Sequence, residues 1–163
     1  MQMYVLRVKN GYEEEVRDAL KKMEIRAFVP TEKMHIRQCG EWKICKKTVF
    51  DGYVFLECKM SDYLYYEIKK ITGVFNFLRN DMGRPQILMP DEQAYIKVLA
   101  NCGKPIEASK VYTSPHGAKL VMSGILRKYC DNILWIDTRQ HRAKLSLILC
   151  GKKKEIVLPA VEI

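Results

Sequence analysis

Short runs in which apolar and polar residues alternate make up most of this chain, and in three places the alternation gives way to a helical period. Residues 3–9 form the first strand-like run. Residues 12–23 follow as a helix, because Val16, Leu20 and Met23 recur at helical spacing and make one apolar face. Asn10-Gly11 opens it. Glu13, Glu14 and Glu15 fill its first turn and Lys21 and Lys22 its last, so both charge sets complement the helix dipole. Residues 26–32 read as a strand, with Pro30 near its end, where a missing donor costs little. Residues 33–49 read as a hairpin turning at Cys39-Gly40, with a helical insertion as the alternative. This excursion carries Lys33, Arg37, Lys43, Lys46 and Lys47.

Ser61 or Asp62 is placed to cap a second helix running to about residue 71, with Leu64, Ile68 and Ile71 as its buried stripe and Gly73 as its stop. Residues 74–78 make the next strand and Asp81-Met82-Gly83 a turn. Pro90-Asp91-Glu92 opens a third helix to about residue 100. This succession predicts an α+β sandwich with helices on one sheet face. Residues 99–109 contain Gly103 and Pro105 among few apolar positions and read as a linker. Beyond residue 110 only short alternating runs remain, at 119–122, 132–137, 142–149 and 153–158. Ala143, Leu145, Leu147 and Leu149 share one face, as suits a small closed β-barrel. The expected domains are therefore residues 1–98 and 110–163.

The stretch Phe50-Asp51-Gly52-Tyr53-Val54-Phe55-Leu56 is the most informative in the chain. In a strand, residues two apart share a face, so Tyr53 and Phe55 point one way and Val54 and Leu56 the other. Burial of the second face in a core would leave the aromatic face free to bind. This segment resembles the phenylalanine-proline-glycine-tyrosine-valine-phenylalanine segment in the N-terminal (NGN) domain of the NusG family of transcription factors, with Asp51 in place of the usual proline. The order of features around it agrees, from the Tyr4 strand through Phe28-Val29-Pro30 and Gly73-Val74-Phe75 to Met89-Pro90-Asp91-Glu92. The C-terminal part, with Ser123-Gly124-Ile125-Leu126, residues 136–145 and Gly151-Lys152-Lys153-Lys154, is similar to a KOW domain, an SH3-like barrel. It is most like that of the specialised LoaP-type antitermination paralogs. It departs from the pattern near Lys128-Tyr129, where the second glycine of the usual turn is missing.

The resemblance implies a transcription elongation factor, acting as a processive antiterminator that binds RNA polymerase. The aromatic face would dock on the clamp helices of the polymerase, with Gly52, Tyr53 and Phe55 the best matches and Phe50 and Tyr4 next. Periodicity alone favours a core role for both rings. Tyr65 and Tyr66, with Leu64, lie where some relatives touch the polymerase gate loop, although Leu64 also fits the buried stripe. The KOW-like part would bind a nascent RNA hairpin through Lys119, Arg127, Lys128, Arg139, Arg142, Lys144, Lys152, Lys153 and Lys154, or recruit a ribosome or a termination factor. A KOW protein acting in translation and the housekeeping family member are the other readings.

Charge supports a polyanionic partner. The chain carries +9, and the excess is uneven: residues 1–98 hold 17 Lys/Arg against 14 Asp/Glu, and residues 99–163 hold 11 against 5. With 48% apolar and 29% charged residues, the composition is that of a globular protein. No segment approaches the roughly 18 consecutive apolar residues of a membrane span. The N-terminus reaches Arg7 too early for a signal peptide, so a cytoplasmic monomer with no membrane partner is expected. The six cysteines are widely spaced with no Cys-x-x-Cys pair, which argues for free thiols over a zinc site. His35 and Cys39 stand four apart but on a hairpin, not a helix. His35, His116 and His141 have no acid–base partners at meaningful spacing, and neither a phosphate-cradling glycine loop nor a serine elbow is present. No enzymatic activity, cofactor or metal is expected.

Overall fold

A computed structural model describes all residues, 1–163. The chain folds into two compact units. The first comprises Met1–Val29 and Phe50–Gly103, the second Pro30–Val49 and Lys104–Ile163. The strand expected over residues 26–32 is therefore two strands, broken at Val29-Pro30 where the chain passes from one unit to the other. This division redistributes the charge. The first unit holds 12 Lys/Arg and 12 Asp/Glu, and the second holds 16 and 7, so the whole net charge of +9 resides in the second.

In the first unit, strands β1 (Gln2–Val8), β2 (Arg26–Phe28), β5 (Tyr53–Cys58) and β6 (Val74–Phe77) form an antiparallel sheet in the order β2-β5-β1-β6. Helices α1 (Glu13–Lys22) and α2 (Asp62–Lys69) cover one face. Val16, Leu20 and Ile68 pack there with Tyr4, Leu6, Val8, Val54 and Leu56, each such apolar side chain contributing roughly 1.5–3 kcal/mol. The third helix, α3 (Pro90–Ala100), lies against the opposite face: Lys97 on it meets Glu57 of β5 at 3.5 Å, and Leu88 just before it donates its N–H to the carbonyl of Met3. Helices on a single face were expected. The two fully buried α3 residues Ile96 and Leu99 explain the second cover, since the Met3-Val5-Phe55 face is as apolar as the first.

In the second unit, β3 (Thr31–Gln38) and β4 (Glu41–Thr48) form the expected hairpin, turning at Cys39-Gly40 with φ of 53° and 79°. Its base is tied to the C-terminal segment at Ile106, whose N–H donates to the Thr31 carbonyl (2.7 Å) and whose carbonyl accepts from the Lys33 N–H (2.8 Å). Strands β7 (Ser109–Thr113), β8 (Lys119–Ser123), β9 (Ile133–Asp137), β10 (Arg142–Leu149) and β11 (Lys152–Glu162) form a curled sheet in the order β8-β7-β11-β10-β9, parallel only between β11 and β7. Ala143, Leu145 and Leu147 point into its core with Val111, Ile156 and Leu158, as their alternation predicts. Where no helix was expected, a single turn, α4 (Ile125–Lys128), drops Leu126 into that core. No helix is long and apolar enough to cross a membrane.

Candidate binding surfaces

The glycine-led strand is positioned by a carboxylate. Glu13, at the start of α1, is buried and accepts the Gly11 and Gly52 N–H groups, both at 2.9 Å. Gly52 has φ of +79°, and a Cβ on it would come 2.9 Å from the Asn10 side chain. Its role at this turn is conformational, since it lets the backbone approach α1 closely.

From this turn β5 presents Tyr53 and Phe55 to one face, but that face is not open. Phe55 has no exposed surface, and Phe50, packed edge-to-face on it at 5.4 Å, retains only 3%. The expectation of a free aromatic face is corrected for both rings, which are closed off from solvent and packed on one another. Tyr4 is also buried, and it lies on the other face, edge-to-face with Phe77 at 6.3 Å. Burial and the nearby Cys58 push its hydroxyl above the ordinary tyrosine pKa. Burial raises the Cys58 thiol to about 11, leaving it protonated and inert. Tyr53 alone of the four is half-exposed. It pairs across the sheet with Arg7, which pairs in turn with Asn76, so Tyr53, Arg7 and Asn76 form one row in which Arg7 is exposed and the other two are half-exposed. On α2, Tyr65 stacks on Phe77 at 5.1 Å and belongs half to the core. Tyr66 and Tyr63 stand out into solvent.

The second unit carries the cations. Lys119 on β8 donates to the Ile136 carbonyl on β9 (2.8 Å), drawing together the two edge strands of the curled sheet. Beside this seam a cleft of about 570 Å³ is lined by Lys119, Trp135, Asp137 and Arg139. Lys144 pairs in register with Trp135 and is held by Glu155 at 2.8 Å. Arg127 donates to the Met122 carbonyl, and Lys128 is exposed beside it. Lys152, Lys153 and Lys154 are strand residues of β11 opposite Leu149, Ile148 and Leu147. Arg139 stands exposed on the β9–β10 turn and Arg142 is half-buried at the start of β10. Trp135 was not singled out from sequence. It sits in the unbroken apolar run Ile133-Leu134-Trp135-Ile136, which does not tell the exposed face from the buried one.

Two of the three histidines, far apart in the chain, meet in the structure. His141, in the left-handed region at φ 58°, places its Nδ1 3.3 Å from Nδ1 of His35 on the hairpin. Trp42, near the hairpin tip, stacks on the His141 ring at 4.0 Å and 15°. One nitrogen must donate and the other accept, so the contact needs at least one neutral ring. Burial, and secondly His141, push His35 below its ordinary pKa of 6.5. A histidine whose folded pKa is depressed adds stability above the unfolded value and loses it as pH falls. The second unit should therefore be less stable at pH 5 than at pH 7.5. Urea midpoints at the two pH values test this, and His35→Gln should flatten the difference.

Residues 1–97 match the family model described as NusG, transcription termination factor nusG. The chain is 26% identical to the transcription termination/antitermination protein NusG of Bacillus subtilis, over 98% of this chain and 96% of that one. It is 23% identical to the protein of the same description from Haemophilus influenzae, over 95% and 89%. In structure it is similar to Thermotoga maritima NusG, with a TM-score of 0.56 at 21% identity, over 97% of this chain and 93% of that one.

Proposed function

The chain belongs to the NusG family of transcription factors, and from that premise we propose that it is an elongation factor acting as a processive antiterminator. The first unit binds RNA polymerase and the second binds nascent leader RNA. The mechanism is stoichiometric, with no catalytic step and no cofactor, and its place of action is the cytoplasm. The observation that carries the reading is the segregation of charge: a neutral first unit with an aromatic at its open sheet end, and a second unit holding all the net positive charge. A neutral surface with an aromatic anchor suits a protein groove. A concentrated positive charge suits phosphates.

Of the aromatic residues first assigned to the polymerase, Tyr53 carries the direct contact to the clamp helices, while Phe55, Phe50 and Tyr4 support the strand from within. Tyr66 is the exposed candidate for a second contact at the gate loop. Leu120, Met122 and Leu134, exposed on the edge strands of the second unit, favour an additional protein partner there, such as a ribosome or a termination factor.

The test is in vitro transcription through a terminator placed behind the chain's own upstream leader. The wild-type protein should raise read-through. Tyr53→Ala should abolish the effect and the pull-down of polymerase while lowering stability by no more than roughly 1 kcal/mol, as for a half-exposed residue. Unchanged termination with wild-type protein, or full activity of Tyr53→Ala, would overturn the proposal.

A further inference from the structure

The β3–β4 hairpin is an element to which the family reading assigns no task. Residues 30–49 hold five Lys/Arg and two Asp/Glu, and one of those two acids, Glu32, is buried. Arg37, Lys43, Lys46 and Lys47 are all exposed. The ribbon is anchored at both ends to the rest of its unit: at its base by the paired Ile106 hydrogen bonds, and toward its tip by Trp42 stacked on His141 with His35 alongside. The upper anchor fixes the placement of charge. Arg37 pairs in register with Trp42, so it shares the face that meets His141. His141 itself lies between Arg139 and Arg142 in the chain. The latch thus brings the hairpin face that carries Arg37 to the turn that carries Arg139 and leads into Arg142 at the start of β10.

We propose that the β3–β4 ribbon is a second arm of the RNA surface, laying its cations along the phosphate backbone of the same folded RNA that Arg139, Arg142 and Lys144 contact. This rests on the reading of the second unit as an RNA-binding unit. Lysines on a ribbon also discourage edge-to-edge aggregation, but that purpose requires no fixed orientation, whereas this ribbon is held at base and tip. Phosphate contact is the chemistry that fits, because the deep groove of A-form RNA admits no ribbon for base reading, and shape and backbone are recognised instead. Trp42 and His141 are positioning residues: they add no charge but set where the charge stands.

The test is a salt titration of full-length protein on its own leader RNA. The hairpin variant Arg37→Gln/Lys43→Gln/Lys47→Gln should weaken binding at least about tenfold at low salt. It should also lower the slope of log affinity against log salt by about 0.7–0.9 for each phosphate left unneutralised. Trp42→Ala should weaken binding severalfold with formal charge unchanged, and Trp42→Phe, which retains a stacking ring, should restore it. Circular dichroism should show all three variants folded. If the hairpin variant keeps wild-type affinity and slope while Arg139→Gln/Lys144→Gln loses both, the inference about the ribbon fails and RNA binding by the barrel stands. If wild-type protein binds no RNA at any salt, the RNA reading itself fails. Loss of polymerase capture without loss of RNA binding in the hairpin variant would assign the ribbon to a protein partner and overturn the proposal.

Discussion

Phe55→Ala is expected to remove about 3–5 kcal/mol from the stability of the first unit. The ring has no exposed surface, sits between Val5 across the sheet and Phe50 packed on its edge, and is among the largest wholly buried side chains in the chain. Its loss leaves a cavity that the flanking strands cannot close, since β5 is paired on both sides, to β1 and to β2. A loss of that size against the 5–15 kcal/mol typical of a domain should lower the melting temperature by roughly 15 °C or more. Differential scanning calorimetry of the full chain would register it. Tyr53, two residues away on the same strand face, should show the reverse pattern: a small thermal shift and a large loss of polymerase binding. If Phe55→Ala melts within a few degrees of wild type and loses polymerase instead, the ring reaches the partner and the core assignment of this face is wrong.

That contrast marks how far the sequence could be read. Alternation places Tyr53 and Phe55 on one face, and the structure agrees. What alternation does not carry is whether a distant helix lies over that face and how far along it. Here Phe55 has no exposed surface while Tyr53 keeps part of its own, so one becomes core and the other remains accessible. The signal lay in α3 itself: Ile96 and Leu99, three apart, demand an apolar partner that the α1–α2 face does not supply. The first helix was legible in full, because its charges, its stripe and its opening glycine are local. The hairpin turn at Cys39-Gly40 was legible for the same reason.

Membership of the hairpin was not legible. Chain order places residues 33–49 between two strands of the first unit, which divides the charge into three net positive charges before residue 99 and six after. The structure assigns the hairpin to the second unit through contacts of long sequence separation, Thr31 and Lys33 with Ile106, and His35 and Trp42 with His141. No local pattern announces a contact across about a hundred residues. The consequence is functional, because it leaves the first unit neutral and turns the second into a polycation. The run expected over 153–158 extends in both directions, to Lys152–Glu162, and its lysines share a β-ladder with the buried Leu145, Leu147, Ile156 and Leu158.

Gly124→Ala is the second substitution expected to have a large effect, and it acts on the other unit. Gly124 adopts φ 95° and ψ −175°, a region that only glycine enters without a cost of about 1–3 kcal/mol. A Cβ there would also stand 2.7 Å from the Cα of Ser109. Ser109 is fully buried, and its hydroxyl accepts the N–H of Leu126, fixing α4 against β7. The contact is with backbone, so it cannot be relieved by turning a side chain, and overpacking of this kind adds roughly 1–3 kcal/mol more. Together the two terms amount to about 2–6 kcal/mol, a large fraction of the stability of a small barrel. Gly117→Ala separates them. Gly117 also has positive φ, at 83°, but nothing lies within 4 Å of its added Cβ, so it should show the backbone term alone. Hydrogen exchange should find β7 and β10 deprotected in Gly124→Ala far more than in Gly117→Ala, with β1 and β5 unchanged in both. Equal losses in the two variants would mean that β7 yields to the intruding methyl, and that the close approach at Ser109 is not what seats Leu126 in the barrel.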